Sequence, residues 1–140
     1  MKIRLDDVMQ SFSFPFEAVY YYYIPLETVL MFAGGMIYGK AVHGISSEED
    51  VKKNAKDFIK LPQIGDEGRR RVMISFMNTI ENEEVRAKLE KAIEEGIMYF
   101  GSALREEKLL LPWYNYRDEI YKELAVRWSK ENGLELFGQD

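Results

Sequence analysis

Side chains able to do chemistry are scarce in this sequence. His43 is the single histidine and there is no cysteine. Without a thiol there is no cysteine nucleophile, no zinc–sulfur site and no disulfide. A serine–histidine–acid triad would have to be built on His43, which stands beside Gly44, and no G-x-S-x-G elbow accompanies it. Metal centres that need several histidines are excluded. Gly34, Gly35 and Gly39 lack the G-x-G spacing and following helix of a dinucleotide site, and no G-x-x-x-x-G-K-S/T phosphate loop occurs. These glycines read as turn and strand-kink residues. The residues therefore assign no catalytic group, no metal ligand and no cofactor.

Carboxylates are plentiful. Glu83, Glu90 and Glu94 fall near one stripe of a helix, a pattern that suits a hard cation. Ala87 interrupts the stripe, and Glu84–Lys88 and Glu83–Arg86 are spaced as the ion pairs of a solvated face. Arg69, Arg70 and Arg71 form the only dense basic run. It opens a helix, where positive charge opposes the dipole, so pairing with Asp66 and Glu67 competes with capture of a phosphate or an acidic partner. Tyr20 to Tyr23 are four consecutive tyrosines, and strand alternation sends two rings to each face. One pair is expected under the helices, the other at least partly open as a protein-contact surface. Arg117 is the awkward residue. A helical wheel sets it amid Trp113, Tyr114, Tyr121, Leu124, Ala125 and Trp128. There it needs either a structural anion or a ligand, with Trp113 and Tyr114 beside it.

The elements that must position these residues follow from size and pattern. The 140 residues, 46% hydrophobic and 31% charged, fit a single domain over 1–140 with one core. The formal net charge of −5 gives no long-range attraction to a phosphodiester backbone. Acidic residues near the N-terminus stand where a signal peptide needs its apolar stretch. Pro25, Glu27 and Gly34-Gly35 break the longest apolar run, so no membrane association and a cytoplasmic location are expected.

Residues 1–45 read as a short helix from Leu5 to Phe12 followed by strands. From about Phe14 to Val42, β-branched and aromatic residues dominate, punctuated by Ile24-Pro25-Leu26-Glu27 and by Gly34-Gly35, a pair suited to a primed hairpin turn. Residues 46–140 read as mainly helical. Ser46-x-x-Glu49 has the form of a capping box, and Phe58 to Leu61 of a short strand ended by Pro62. Asp66 is placed as the cap of a helix carrying Val72, Met73, Phe76, Met77 and Ile80. Asn82 opens the next helix and Gly96 stops it; a short helix follows, and Pro112 lies in the first turn of the last one. The expected fold is α+β, a small antiparallel three-stranded meander near the N-terminus packed against four or five helices.

Two ends of the chain carry a resemblance. Lys2-x-x-Leu5-Asp6-Asp7-Val8 at the start is similar to the opening of the bacterial group known as uncharacterised protein family 0158. Tyr22-Tyr23 with Glu27-Thr28-Val29 resembles its hairpin. Trp113-Tyr114-x-Tyr116-Arg117-Asp118-Glu119, Ala125-x-x-Trp128 and Glu131-Asn132-Gly133 resemble its closing helix. Glu94 to Phe100 departs from the family pattern, keeping Gly96 and Phe100 without the basic charges. The resemblance implies an organisation of the fold and no established activity. The leading expectation is a non-catalytic protein-interaction or regulatory module whose partner is a protein, with a homo-oligomer as one form. The alternatives are a nucleic-acid-associated accessory protein using Arg69 to Arg71 and exposed tyrosines, and a carboxylate-dependent hydrolase.

Overall fold

The structure, a computed structural model, describes residues 1–13 and 18–138. Phe14 to Glu17, at the head of the expected strand-rich stretch, lie outside the described residues. In chain order the elements are β1 (Lys2–Arg4), α1 (Leu5–Ser13), β2 (Ala18–Tyr23), β3 (Thr28–Ala33), β4 (Met36–Tyr38), α2 (Glu48–Lys53), β5 (Phe58–Lys60), α3 (Gly65–Met77), α4 (Glu83–Glu95), α5 (Ile97–Glu106), α6 (Leu110–Glu131) and β6 (Glu135–Phe137). They divide into two compact units, one of Met1–Gln63 with Lys122–Asp140, the other of Ile64–Tyr121.

The fold is α+β, but the sheet is larger than a three-stranded meander. β2, β3 and β4 are consecutive and antiparallel, and β5 adds to the free edge of β2, giving the order β4-β3-β2-β5. Phe58 to Lys60, legible as a strand, is thus the fourth member of the sheet. A second, two-stranded sheet pairs β1 with β6 in parallel, Ile3 opposite Leu136. Strands this short and this far apart in the chain carry no local signal of their pairing.

Local chemistry explains the connections. The β3–β4 loop is the pair Gly34-Gly35, with φ of +60° and +82°. Positive φ at both centres is the primed turn that matches the twist of antiparallel strands. At the β2–β3 junction Pro25 sits in a single 3₁₀ turn, closed by Glu27 in the left-handed region with its N–H on the Ile24 carbonyl at 3.2 Å. The capping box of α2 lies one residue later than the pattern places it. Ser47 is the cap, and the Asp50 carboxylate accepts from the amides of Ser46 (2.8 Å) and Ser47 (3.1 Å) and from the Ser46 hydroxyl (3.0 Å). Asp50, one carbon shorter than Glu49, sits at the third helical position and faces both amides. Those bonds hold its carboxyl below the usual carboxylate range, the Ser46 amide first among them.

In the first unit, β2 sends Ala18, Tyr20 and Tyr22 to one face, all buried, and Val19, Tyr21 and Tyr23 to the other, half-buried. On the Tyr21 side a small core forms from Leu30, Phe32, Ile45 and Val51, with Tyr21, Tyr23, Ile37, Val42 and Phe58 packed on it. On the other side the Tyr22 hydroxyl donates to the Lys2 carbonyl at 2.8 Å, tying the sheet to the β1–α1 layer. There Leu5, Val8 and Phe12 of α1 are buried at helical spacing.

In the second unit, Val72, Met73, Phe76 and Met77 form the buried stripe of α3, which ends at Met77, so Ile80, expected on the same stripe, lies beyond the helix. The helix begins at Gly65, and Asp66 stands in its first turn instead of capping it. Gly68 is a packing requirement, because a Cβ there would come within 2.6 Å of the Ile64 Cβ. Asn82 caps α4 by accepting from the Val85 amide at 3.1 Å, and Gly96 at φ +143° ends it. Phe76 packs its ring on Trp113 (5.4 Å between centroids) and Tyr116 (5.3 Å), and Trp113 packs edge-on to Phe100 (5.2 Å).

Two outcomes test this account. Gly34→Val places a β-branched residue at φ +60°, and denaturant unfolding should show a loss of roughly 1–3 kcal/mol. The Asp50 effect depends on pH with a definite sign. A depressed carboxyl contributes stability above its unfolded pKa of about 3.9 and loses it as pH falls through the folded value. Asp50→Asn should therefore lower Tm at neutral pH, and the gap to wild type should close as the pH is taken below that range. A gap that persists unchanged in acid would show that the carboxylate charge is not what caps α2.

Candidate protein-interaction surface

The sheet register places a set of apolar side chains together. In an antiparallel pair, residues directly opposite point to the same face. Tyr38 lies opposite Met31, which lies opposite Tyr20; Met36 lies opposite Ala33, which lies opposite Ala18. This is the face that is buried along β2. Moving outward across the sheet it opens: Tyr20 and Ala18 are buried, Met31 is half-buried, Ala33 is exposed, and Met36 and Tyr38 are 55% and 65% exposed. The inner part of one continuous apolar face is covered and the outer part is not.

The edge of β4, by contrast, is closed. The Ile37 amide donates to the Ser46 carbonyl at 2.9 Å, Met36 bridges to Ser47, and the Glu48 amide donates to the Gly35 carbonyl at 2.8 Å. A blocked edge removes strand addition at β4 as a mode of contact. What is offered is the face, with a thioether and a phenol on it. Both types are enriched at protein interfaces, Met because it adapts its shape and Tyr because it joins apolar area to a hydroxyl.

The residues singled out by the sequence lie elsewhere, and the structure separates them. In the arginine run, Arg69 pairs with Asp66 at 3.5 Å and Arg71 with Glu67 at 3.7 Å, the local pairing that competes with an anion site. Arg70 lies against a groove between α3 and α4. Trp113 is 7% exposed and belongs to the aromatic core of its unit, whereas Tyr114 is 42% exposed. Arg117 has a side chain 27% exposed and is held by its own neighbour, Nε and one terminal nitrogen donating to Asp118 Oδ1 at 3.2 and 3.1 Å. Its guanidinium also lies over the rings of Tyr114 (4.9 Å) and Tyr121 (5.8 Å). No second helix supplies the counter-ion among the described residues. Tyr116 pairs its hydroxyl with that of Ser75.

His43 is exposed in the two-residue turn between the bridged Val42 and Ile45. A cleft of about 380 Å³ between α4 and α5 is lined by Lys88, Lys91, Glu95 and Glu106, with Tyr99 and Ser102. Lys88 donates to Glu107 at 3.1 Å, and that bond holds its ammonium above the ordinary lysine range. Among the described residues no group of three or more His, Cys, Asp or Glu is placed to hold a metal ion, and no helix is long and apolar enough to cross a membrane.

Met36 and Tyr38 were not among the residues that the sequence marks. Their signal is an i, i+2 pair of large apolar residues on a strand following a two-residue turn, which names a face without saying whether anything covers it. The chain matches no family model, no curated protein and no solved structure.

The Arg117 geometry makes a quantitative expectation. A partly exposed pair with an adjacent residue contributes little, and each ring contact about 0.5–1 kcal/mol. Arg117→Ala should cost on the order of 1–2 kcal/mol in denaturant unfolding. A loss of roughly 4 kcal/mol would show instead that the guanidinium serves a buried anion.

Proposed function

We infer that the chain is a non-catalytic protein-interaction module whose contact surface is the outer face of the four-stranded sheet. The observation that carries this reading is the exposure of Met36 and Tyr38 on a face that is buried along β2. Apolar surface left open beside a covered one, on a strand whose outer edge is closed, suits a site that another protein covers. A protein partner also accords with the net charge of −5, which disfavours a polyanion. The resemblance to uncharacterised protein family 0158 belongs to the same proposal and brings no activity with it.

The test is a paired substitution. Met36→Asp with Tyr38→Asp alters two exposed side chains and leaves the Leu30–Phe32–Ile45–Val51 core in place, so the variant should melt within a few degrees of wild type. Affinity purification from the native host, with mass spectrometry, should then show specific partners retained by wild type and lost by the variant. Sedimentation at several concentrations separates a second copy of the chain from a different protein. An identical set of partners on both proteins, with no self-association in either, would overturn the reading.

A further inference from the structure

A second surface, in the other unit, carries a different kind of specificity. Arg70, Ile74 and Met77 of α3 and Glu90, Ile93 and Glu94 of α4 line a groove of about 220 Å³. Its floor is Met77 and Ile93, both members of the unit's core, and Ile74 stands at its rim 38% exposed. Pockets for small molecules and cofactors run from about 300 Å³ upward. A smaller, apolar-floored groove between two helices has the dimensions for one or two inserted side chains.

The charges around it are not neutralised from within. Among the described residues neither Glu90, Glu94 nor Arg70 makes an ion pair. Glu90 and Glu94 are one turn apart on α4, a like-charge spacing that costs a helix a few tenths of a kcal/mol. Glu94 also lies in the last turn, which contains no basic residue, so it opposes the helix dipole as well. One wall of the groove is therefore a pair of unneutralised carboxylates at helical spacing, adjoining an apolar floor.

We propose that this groove binds an amphipathic helical segment of a partner protein, with an apolar anchor seated on Met77 and Ile93 and flanking Lys or Arg side chains on Glu90 and Glu94. Helix-in-groove recognition reads its ligand at i, i+3 and i+4 positions, and two cations one turn apart on the incoming helix match the two carboxylates. Arg70 on the opposite wall sets direction, because it repels a second basic flank and accepts an acidic one. The carboxylates argue against nucleic acid and against anionic lipid as occupants.

The test is selection of a displayed library of helix-forming peptides, apolar and charged positions randomised, against the full chain. The proposal expects enriched sequences with a Leu, Met or Phe anchor and Lys or Arg one turn apart. The synthesised winner should bind the Glu90→Lys, Glu94→Lys double variant about tenfold or more weakly, with an affinity that falls as salt rises. Ile74→Arg should block the groove by size, and its melting curve reports whether it folds. The Met36→Asp, Tyr38→Asp protein should bind the peptide as wild type does, which separates this site from the sheet face. The proposal is overturned if selection yields no binder, or yields winners without basic enrichment. It is equally overturned by winners that bind both groove variants undiminished, or by self-association of the chain that Ile74→Arg abolishes, since the occupant would then be a second copy.

Discussion

A strand paired on both edges has its backbone satisfied on both sides and must place every side chain on one of two faces. β2 is that strand: β3 lies on one edge, β5 on the other, and its core is Val19 followed by four tyrosines. Alternation puts Tyr20 and Tyr22 under one layer and Tyr21 and Tyr23 on another. The Tyr22 hydroxyl, within a fully buried side chain, is accepted by the Lys2 carbonyl. Tyr21 sets its ring edge-on to Phe32 (5.6 Å) and Phe58 (6.0 Å), so one side chain joins β2, β3 and β5. A tyrosine does both jobs because its body is apolar and its tip is polar. Leucines in their place would fill similar space and leave the Lys2 carbonyl without its donor.

The rest of the first unit grows outward from that strand, and the cap of α2 determines how it ends. Asp50 gathers the Ser46 and Ser47 amides. The same two residues close the edge of β4 through the Ser46 carbonyl and the Met36–Ser47 bridge. Helix capping and edge protection are therefore one arrangement, and the closed edge restricts contact at β4 to its face. Met36 and Tyr38 stand open on a three-residue edge strand of the sheet.

What was legible in the sequence was local chemistry. Gly34-Gly35 as a primed turn, Asn82 as a cap, Gly96 as a stop and the stripe from Val72 to Met77 each rest on a contact within a few residues. The parallel pairing of Lys2–Arg4 with Glu135–Phe137 was not legible, because each strand has only three residues and the partner lies at the other end of the chain. The split between Trp113 and Tyr114 was illegible for a different reason. The helical wheel groups them, but only the positions of Phe76 and Phe100 decide which ring is enclosed. Arg117 shows the same limit: its wheel position implies a buried cation, while the rings of Tyr114 and Tyr121 and the carboxylate of Asp118 keep it at the margin.

Charge placement weighs between the classes of partner more sharply than net charge does. A surface that contacts phosphates needs several cations free to face the same way, since affinity comes from releasing counter-ions at each contact. In the arginine run two of the three guanidiniums are turned back on Asp66 and Glu67 within their own helix, and the third borders two glutamates. The tyrosines of the sheet do not compensate. Tyr20 and Tyr22 are buried, Tyr21 and Tyr23 are engaged on the Leu30–Phe32 core, and Tyr38 stands beside methionines. Stacking on bases needs a ring and a cation together on one open surface. On the sheet face the open ring of Tyr38 is set among apolar neighbours, Met31 across the strand pair and Met36 two residues before it, an arrangement that suits apolar contact better than stacking on a base.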